Sequence, residues 1–362
     1  MCWQPHNMTY YKYKGRSLIL TIRTVLLFLL LALIGPEANA QVDESISFSN
    51  EKTRDYIYVI TNRKIDTTRE NLSFNDEVNE NARLTFIKAS ANKSDQIKSQ
   101  SLDYDDFMAQ ACNETSDWLL FVHGDSKTYN KSVQRGLEIQ KFHNINVIVF
   151  SWPSKNPDLN GLKNLHNSQV NVLKSKKHFN ELLAFIASFR KLNTSFNENA
   201  NLSMLLHSLG NLYLENLVKE STNERILNPI FENVIINSAA VNQKMHQEWV
   251  EKIDFQNRIY ITNNKSDFNL KGAHIFTKNG NQLGEKAKSP TAKNANYVQF
   301  SKAVGFRFPT GTTHTYFIGK VPNQSQNIRA FYFDVFHGKK IDFSDQSHFT
   351  KRKKGVGYDV KL

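Results

Sequence analysis

Two cysteines in 362 residues leave no room for a disulfide framework or a thiolate zinc cluster. Eight prolines and fifteen glycines exclude a collagen-like or low-complexity chain. There is no His-Glu-x-x-His and no paired-cysteine spacing, so no metal is expected. Gly124-Asp-Ser-Lys-Thr128 has the look of a phosphate loop but lacks the Gly-x-x-x-x-Gly-Lys spacing, so no nucleotide or other cofactor is expected either. No internal repeat of solenoid length is visible. Acidic residues are the minority, 34 against 46 Lys plus Arg, for a net charge of +12. What is abundant is apolar: 40% of residues are hydrophobic and 12% aromatic. Such a chain is not intrinsically disordered and can bury one large core or two ordinary ones.

Long hydrophobic runs are also scarce. The one near the N-terminus, Val25 to Ile34, is about ten residues, roughly half of what spans a bilayer as a helix. Lys12, Lys14, Arg16 and Arg23 precede it, and Ala38-Asn39-Ala40 supplies small residues at −3 and −1. Residues 1–40 are therefore expected to be a cleaved signal peptide, and the protein to be periplasmic or secreted. Their removal takes four basic and one acidic residue and leaves 322 residues with 42 basic against 33 acidic, a net +9. Cys112 then stands alone, with no base beside it in Gln110-Ala-Cys-Asn113 to make it a nucleophile. The basic tail Lys351-Arg-Lys-Lys354 suits a solvated face or peripheral contact with an anionic envelope surface, and export argues against a nucleic-acid partner.

Strand-like and helix-like patterns alternate along the rest of the chain. Asp55 to Thr61 reads as a strand, followed by short strands to about residue 92 at a sheet edge. Trp118-Leu-Leu-Phe-Val122, Val147 to Phe150, Leu202 to Leu206, Val234 to Ile236 and Arg258 to Thr262 are continuous apolar runs, the mark of strands covered on both faces. Helical spacing falls between them, longest from Val170 to Leu192. Residues 271–296 read as a loop or insertion, and Ile328 to Val335 as a last sheet strand. The pattern predicts an α/β fold with a mostly parallel central sheet and helices on both faces. Its expected divisions are an N-terminal strand extension (41–95), a catalytic domain (96–350) and a basic C-terminal tail (351–362).

The strongest local signal is His207-Ser208-Leu209-Gly210-Asn211, preceded by a buried strand and followed by a helix. That is the setting of a nucleophile elbow, with Ser208 as nucleophile. Phe121-Val-His-Gly124 closes an earlier buried strand, where an oxyanion-hole amide belongs. The expected donors are the amides of Asp125 and Leu209, which requires the Asp125 carboxylate to point away. His123 is expected to bond loop backbone. An acid follows at Asp267, with Asp254 the weaker rival. Of the histidines His274, His314, His337 and His348, the first two precede the expected last strand. His348, on a loop beyond it, is the expected base, with His337 second.

Tyr58-Val-Ile-Thr-Asn-Arg63, Phe-Val-His-Gly124, Phe150-Ser-Trp-Pro-Ser154, His-Ser-Leu-Gly-Asn211 and Ser266-Asp-Phe-Asn-Leu270 together resemble a bacterial family of α/β-hydrolases of unknown function, in order from about residue 55 to 350. The resemblance implies an α/β-hydrolase fold and an esterase-like Ser/His/Asp hydrolase acting on a small-molecule or lipid-like acyl substrate. In that family the position of Leu206 is normally small and the residue after His-Gly is usually not acidic, so a non-catalytic envelope-binding protein of the same fold is the alternative. A peptidase or amidase with the same triad is a third reading. Residues 156–174 are the candidate lid.

Overall fold

Buried runs of β-branched and aromatic residues pair into the frame of the molecule. A computed structural model describes residues 54–114, 116–198, 200–220, 229–277, 280–311 and 314–362, and the expected signal peptide lies outside these residues. The first strands are β1 (Tyr56–Thr61), β2 (Arg63–Ile65), β3 (Phe74–Val78), β4 (Thr85–Ala91) and β5 (Ile97–Leu102). They are followed by β6 (Trp118–Val122), β7 (Asn146–Ser151), β8 (Leu202–His207), β9 (Phe231–Asn237), β10 (Gln256–Asn263) and β11 (Ala295–Gln299), and the chain closes with β12 (Phe349–Lys351) and β13 (Tyr358–Val360). Eleven of these make one sheet in the order β12-β13-β11-β10-β9-β8-β6-β7-β1-β4-β5, while β2 and β3 form a separate ribbon. From β13 to β1 neighbouring strands run parallel, and the antiparallel strands lie at the edges, β12 at one and β4 and β5 at the other. The chain is therefore an α/β-hydrolase fold with a mostly parallel sheet.

Helices cover both faces: α1 (Tyr104–Cys112), α2 (Tyr129–His143), α3 (Gly161–Lys174), α4 (Lys176–Leu192), α5 (Asn211–Glu220), α6 (Phe268–Thr277) and α7 (Gln326–Phe336), with shorter helices at Ser195–Glu198, His246–Val250 and Lys320–Gln324. The period of two in each strand divides the core. Trp118, Leu120 and Val122 of β6 and Leu202, Met204 and Leu206 of β8 face the layer that contains Phe179 and Phe189 of α4 and Tyr213 of α5. Leu119, Phe121 and Leu205 face the opposite layer, with Val133 of α2 and Phe331 and Val335 of α7. Among the described residues no helix is long and apolar enough to cross a membrane.

Three expectations are corrected. The predicted last strand, 328–335, is helix α7: Ile328, Phe331, Tyr332, Val335 and Phe336 are its buried residues, and that 3, 4, 7, 8 spacing is a helical stripe. The stretch 271–296, read as a loop, begins inside α6. Residues 351–362 are not a loose tail: Tyr358 and Asp359 of β13 pair with Val298 and Gln299 of β11, and Val360 is fully buried.

Removing everything after Val356 should therefore expose the edge of β11 and the Val360 contact. Losing about 2 kcal/mol of apolar burial in a domain of this size predicts a fall in Tm of about 3 °C, read by differential scanning calorimetry. An unchanged Tm would make β13 dispensable.

Candidate active site

Parallel strands end on one edge of the sheet, and the chemistry-bearing residues gather there. β8 stops at His207, and Ser208 opens a one-turn 3-10 helix, Ser208–Gly210, that runs into α5. Ser208 has φ +54°, the left-handed region that non-glycine residues seldom occupy. The side chain of Asn211 holds this turn by donating to the carbonyls of Leu206, Ser208 and Asn237 at 3.0, 2.9 and 3.3 Å. The Ala240 amide also donates to the Ser208 carbonyl, at 3.1 Å. Close packing explains both glycines. A Cβ on Gly210 would stand 2.7 Å from the His123 carbonyl oxygen, and one on Gly124 would stand 2.7 Å from Ser208 Cβ. Leu206 does not crowd the elbow, since its side chain lies in the α4–α5 layer.

The turn after β6 is thus pressed against Ser208. It is fastened on its other side by Ser154, whose carbonyl accepts from the Ser126 amide at 2.8 Å and whose hydroxyl accepts from the Lys127 amide at 2.9 Å. Arg63, fully buried in its side chain, ties the same turn to the Ser-Trp-Pro-Ser loop. Its guanidinium donates to the Lys127 carbonyl (2.8 Å), the Trp152 carbonyl (2.6 Å) and Ser151 Oγ (3.1 Å), and pairs with Asp76. This gives the Thr-Asn-Arg and Ser-Trp-Pro-Ser motifs a common structural purpose. The Asp125 carboxylate turns away toward α3, where Oδ1 accepts from Asn164 Nδ2 (2.9 Å) and Ser168 Oγ (2.6 Å). Burial raises its pKa above the ordinary carboxylate value against these hydrogen bonds.

Asp267 follows β10 and is fully buried. Its Oδ1 accepts from the Leu270 amide at 3.1 Å, and its Oδ2 accepts from Tyr316 OH at 3.2 Å and lies 2.6 Å from His314 Nδ1. The His314 ring packs against that of His207, the residue before Ser208, with centroids 4.7 Å apart. Ser238 Oγ donates to the His314 carbonyl at 3.1 Å. The structure thus brings Asp267 and His314 together beside His207, the residue before Ser208, and leaves the two favoured histidines elsewhere. His348 is a surface residue whose Nδ1 lies 2.6 Å from Asp345 Oδ2, three positions back in its own turn. His337 caps α7 and bonds Asp117 and the His143 carbonyl at the opposite end of β6. His274 falls in α6, and Asp254 is exposed in the connection before β10. The signal that selects His314 is its place after β11, the parallel strand next to β10; taking α7 for a strand hid it.

The buried histidines around the site are neutral. His123 Nδ1–H donates to the Gly124 carbonyl (2.8 Å), Nε2 accepts from the Trp152 amide (3.2 Å), and the ring stacks on Trp152. His207 Nδ1 accepts from Asn237 Nδ2 at 3.0 Å, and burial, with His314 alongside, holds its pKa well below the usual value. His143 donates from Nε2 to the Phe317 carbonyl at 2.6 Å. Burial lowers His123 and His143 to about 3. A depressed folded-state pKa means the unfolded chain binds protons first, so this stability is complete above about pH 6.5 and is lost as pH falls from there toward 3. His123 and His143 should each remove about 2 kcal/mol by pH 5. Urea unfolding should show the loss between pH 7 and 5, and His143→Gln should reduce it by about 2 kcal/mol; a flat profile would contradict neutral burial.

Comparison with known proteins places this geometry in a family. No curated protein and no solved structure matches the chain. A family model described as "Alpha/beta hydrolase of unknown function (DUF900)" matches residues 104–308, which hold the turn after β6, the elbow and Asp267. That stretch is more than half of the 362 residues, and the chain belongs to this α/β-hydrolase family of unknown function.

Proposed function

We propose that the protein is a serine hydrolase that cleaves an ester or related acyl bond, with Ser208 as nucleophile, His314 as general base and acid, and Asp267 as the residue that orients His314. The observation that carries this reading is the 2.6 Å contact of His314 Nδ1 with the fully buried Asp267, the His314 ring lying against His207, the residue before Ser208, which is itself held at φ +54° at the head of α5. His314 Nδ1–H donates to Asp267 Oδ2, which fixes the tautomer that leaves Nε2 free to accept a proton. Ser208 Oγ attacks the acyl carbon and passes its proton to Nε2. The carbonyl π electrons move onto oxygen, where the amides of Asp125 and Leu209 and the helix N-terminus stabilise the charge. The intermediate collapses, His314 gives the proton to the leaving alcohol oxygen, and water, deprotonated by His314, hydrolyses the acyl-enzyme.

Tyr316 supports this arrangement. Burial and the adjacent Asp267 hold its phenol pKa well above the ordinary value, so it stays protonated and donates to the same carboxylate. The sequence of residues 1–40 supports an exported enzyme, and a periplasmic or secreted product beginning at Gln41 is the corresponding expectation for mass spectrometry.

A fluorophosphonate probe tests the chemistry. The wild type should be labelled, and Ser208→Ala should not. Turnover of short-chain p-nitrophenyl esters should fall about 10³-fold or more in His314→Ala, whereas His348→Ala should stay within about twofold because it alters only a surface turn. Undiminished labelling of Ser208→Ala, or a loss of turnover in His348→Ala matching that in His314→Ala, would refute the assignment.

A further inference from the structure

The lip of this site is both cationic and aromatic. Ser266 and Phe268 flank Asp267, and the loop after β11, closed on itself by a Gly305–Gly311 bridge and a bond from the Phe308 amide to the Gly305 carbonyl, lies against both through Gly305 and Phe306. Phe306, at the crest of this loop, is 80% exposed, and its ring centroid lies 5.1 Å from that of Phe268, itself 36% exposed. Lys271 Nζ sits 5.1 Å from the Phe268 ring centre. Two adjacent phenylalanines in water form a patch that a folded protein ordinarily covers. Their surroundings are predominantly cationic, with Asp359, which pairs with Lys302, an acid that acts on Lys265. From residue 264 to 311 the chain has eight Lys or Arg and only two acids, Asp267 and Glu285, and both of these are buried. Partial burial and the neighbouring charges of Arg352 and Lys286 lower the Lys265 ammonium below its ordinary pKa, so the cations crowd one another. Helix α3, which touches α6, adds exposed Leu162 beside a groove of about 470 Å³ lined also by Leu159, His166 and Val170.

We propose that Phe306 and Phe268, ringed by Lys265, Lys271 and Arg307, form a docking surface for an anionic lipid bilayer. Aromatic rings suit the boundary between headgroups and acyl chains, and the lysines and arginine suit the negative surface around it. A protein partner rich in acids would satisfy the cations, but it would leave the two rings against polar surface. The proposal stands whether or not Ser208 turns over. If it does, the surface delivers an acyl substrate from the bilayer to the edge where Asp267 and His314 lie.

Co-sedimentation of the full chain with vesicles tests it, using phosphatidylcholine alone or mixed with phosphatidylglycerol. The wild type should partition about tenfold or more in favour of the anionic vesicles at low salt. Phe306→Ser, at an exposed position that leaves the core intact, should weaken that binding about fivefold. Lys265→Gln combined with Lys271→Gln and Arg307→Gln should bring it down to the phosphatidylcholine level. Phe306→Trp should show blue-shifted fluorescence, relative to the wild type, on adding anionic vesicles, because the new ring enters the interface. Equal partitioning of wild type and Phe306→Ser, or of the two vesicle types, would overturn the proposal, as would charge substitutions that abolish binding while Phe306→Ser has no effect. Fluorophosphonate labelling of Ser208 in the same variants reads the chemistry separately.

Discussion

The contact on which the site depends is backbone against backbone. The ends of β6 and β8 meet so closely that Gly124 lies under Ser208 and Gly210 lies under the carbonyls of Val122 and His123. No side chain fills that gap, so there is no rotamer to adjust when either segment shifts. The left-handed Ser208 costs on the order of 1–3 kcal/mol and persists only where its surroundings leave it no alternative. Asn211 on one side and Ala240 on the other bind the carbonyls that would have to move. Arg63 does the same for the opposing turn. Its charge is removed from water, yet four oxygens, one of them the Asp76 carboxylate, take its protons. A buried guanidinium with that many partners is costly to unpair, which makes it a rigid tie more than a source of stability.

The two faces of the sheet differ in kind. The face under α4 and α5 is packed with aromatic and aliphatic side chains, including the Phe150, Phe179 and Tyr213 cluster. The face under α7 carries a polar chain at the carboxyl end of the strands. Asn237 Nδ2 donates to His207, while its Oδ1 accepts from Thr262 Oγ1 at 2.9 Å and Tyr332 OH at 2.5 Å. One amide thereby joins β8, β9, β10 and α7. Satisfied in this way, the polar groups specify the alignment of three strand ends, which apolar packing alone would leave free to slide. The neutrality of His207 follows from the same arrangement, because its Nδ1 must remain an acceptor.

Much of the fold was legible because parallel strands buried on both faces announce themselves as continuous apolar runs, and each such run from β6 to β10 is a strand of the sheet. The elbow was legible for the same reason: Leu202 to His207 and the helix beyond it place Ser208 at a strand end. The base was not. Ile328 to Val335 combines β-branched and aromatic residues with a helical period, and composition was weighed above spacing. A strand at those residues would place the histidine beyond it, at His348, but that side chain bonds Asp345 in its own turn and not the acid after β10. The chain beyond β11 also misled by charge: Lys351 to Lys354 looks like a solvated tail, yet a few residues on Val360 is core and Asp359 pairs with Lys302.

Asp125 has a mechanical consequence. A carboxylate next to the amide proposed to hold the oxyanion would oppose the developing charge if it faced the site. It faces α3 instead, and the hydrogen bonds from Asn164 and Ser168 that turn it there belong to the same helix whose outer side carries Leu162 and Leu173, 40% and 50% exposed. Asn164 Nδ2 also donates to the Ser154 carbonyl, which lies 2.8 Å from Ser168 Oγ, so α3 is bound both to the turn that presents the amide and to the Ser-Trp-Pro-Ser loop that fastens it. A displacement of α3 cannot leave that amide in place, since Asp125 and Ser154 would have to give up charged or buried hydrogen bonds first. The acid at position 125 therefore couples the outer surface of α3 to the edge of the sheet where Ser208 lies, a link that a small neutral residue at that position would not make.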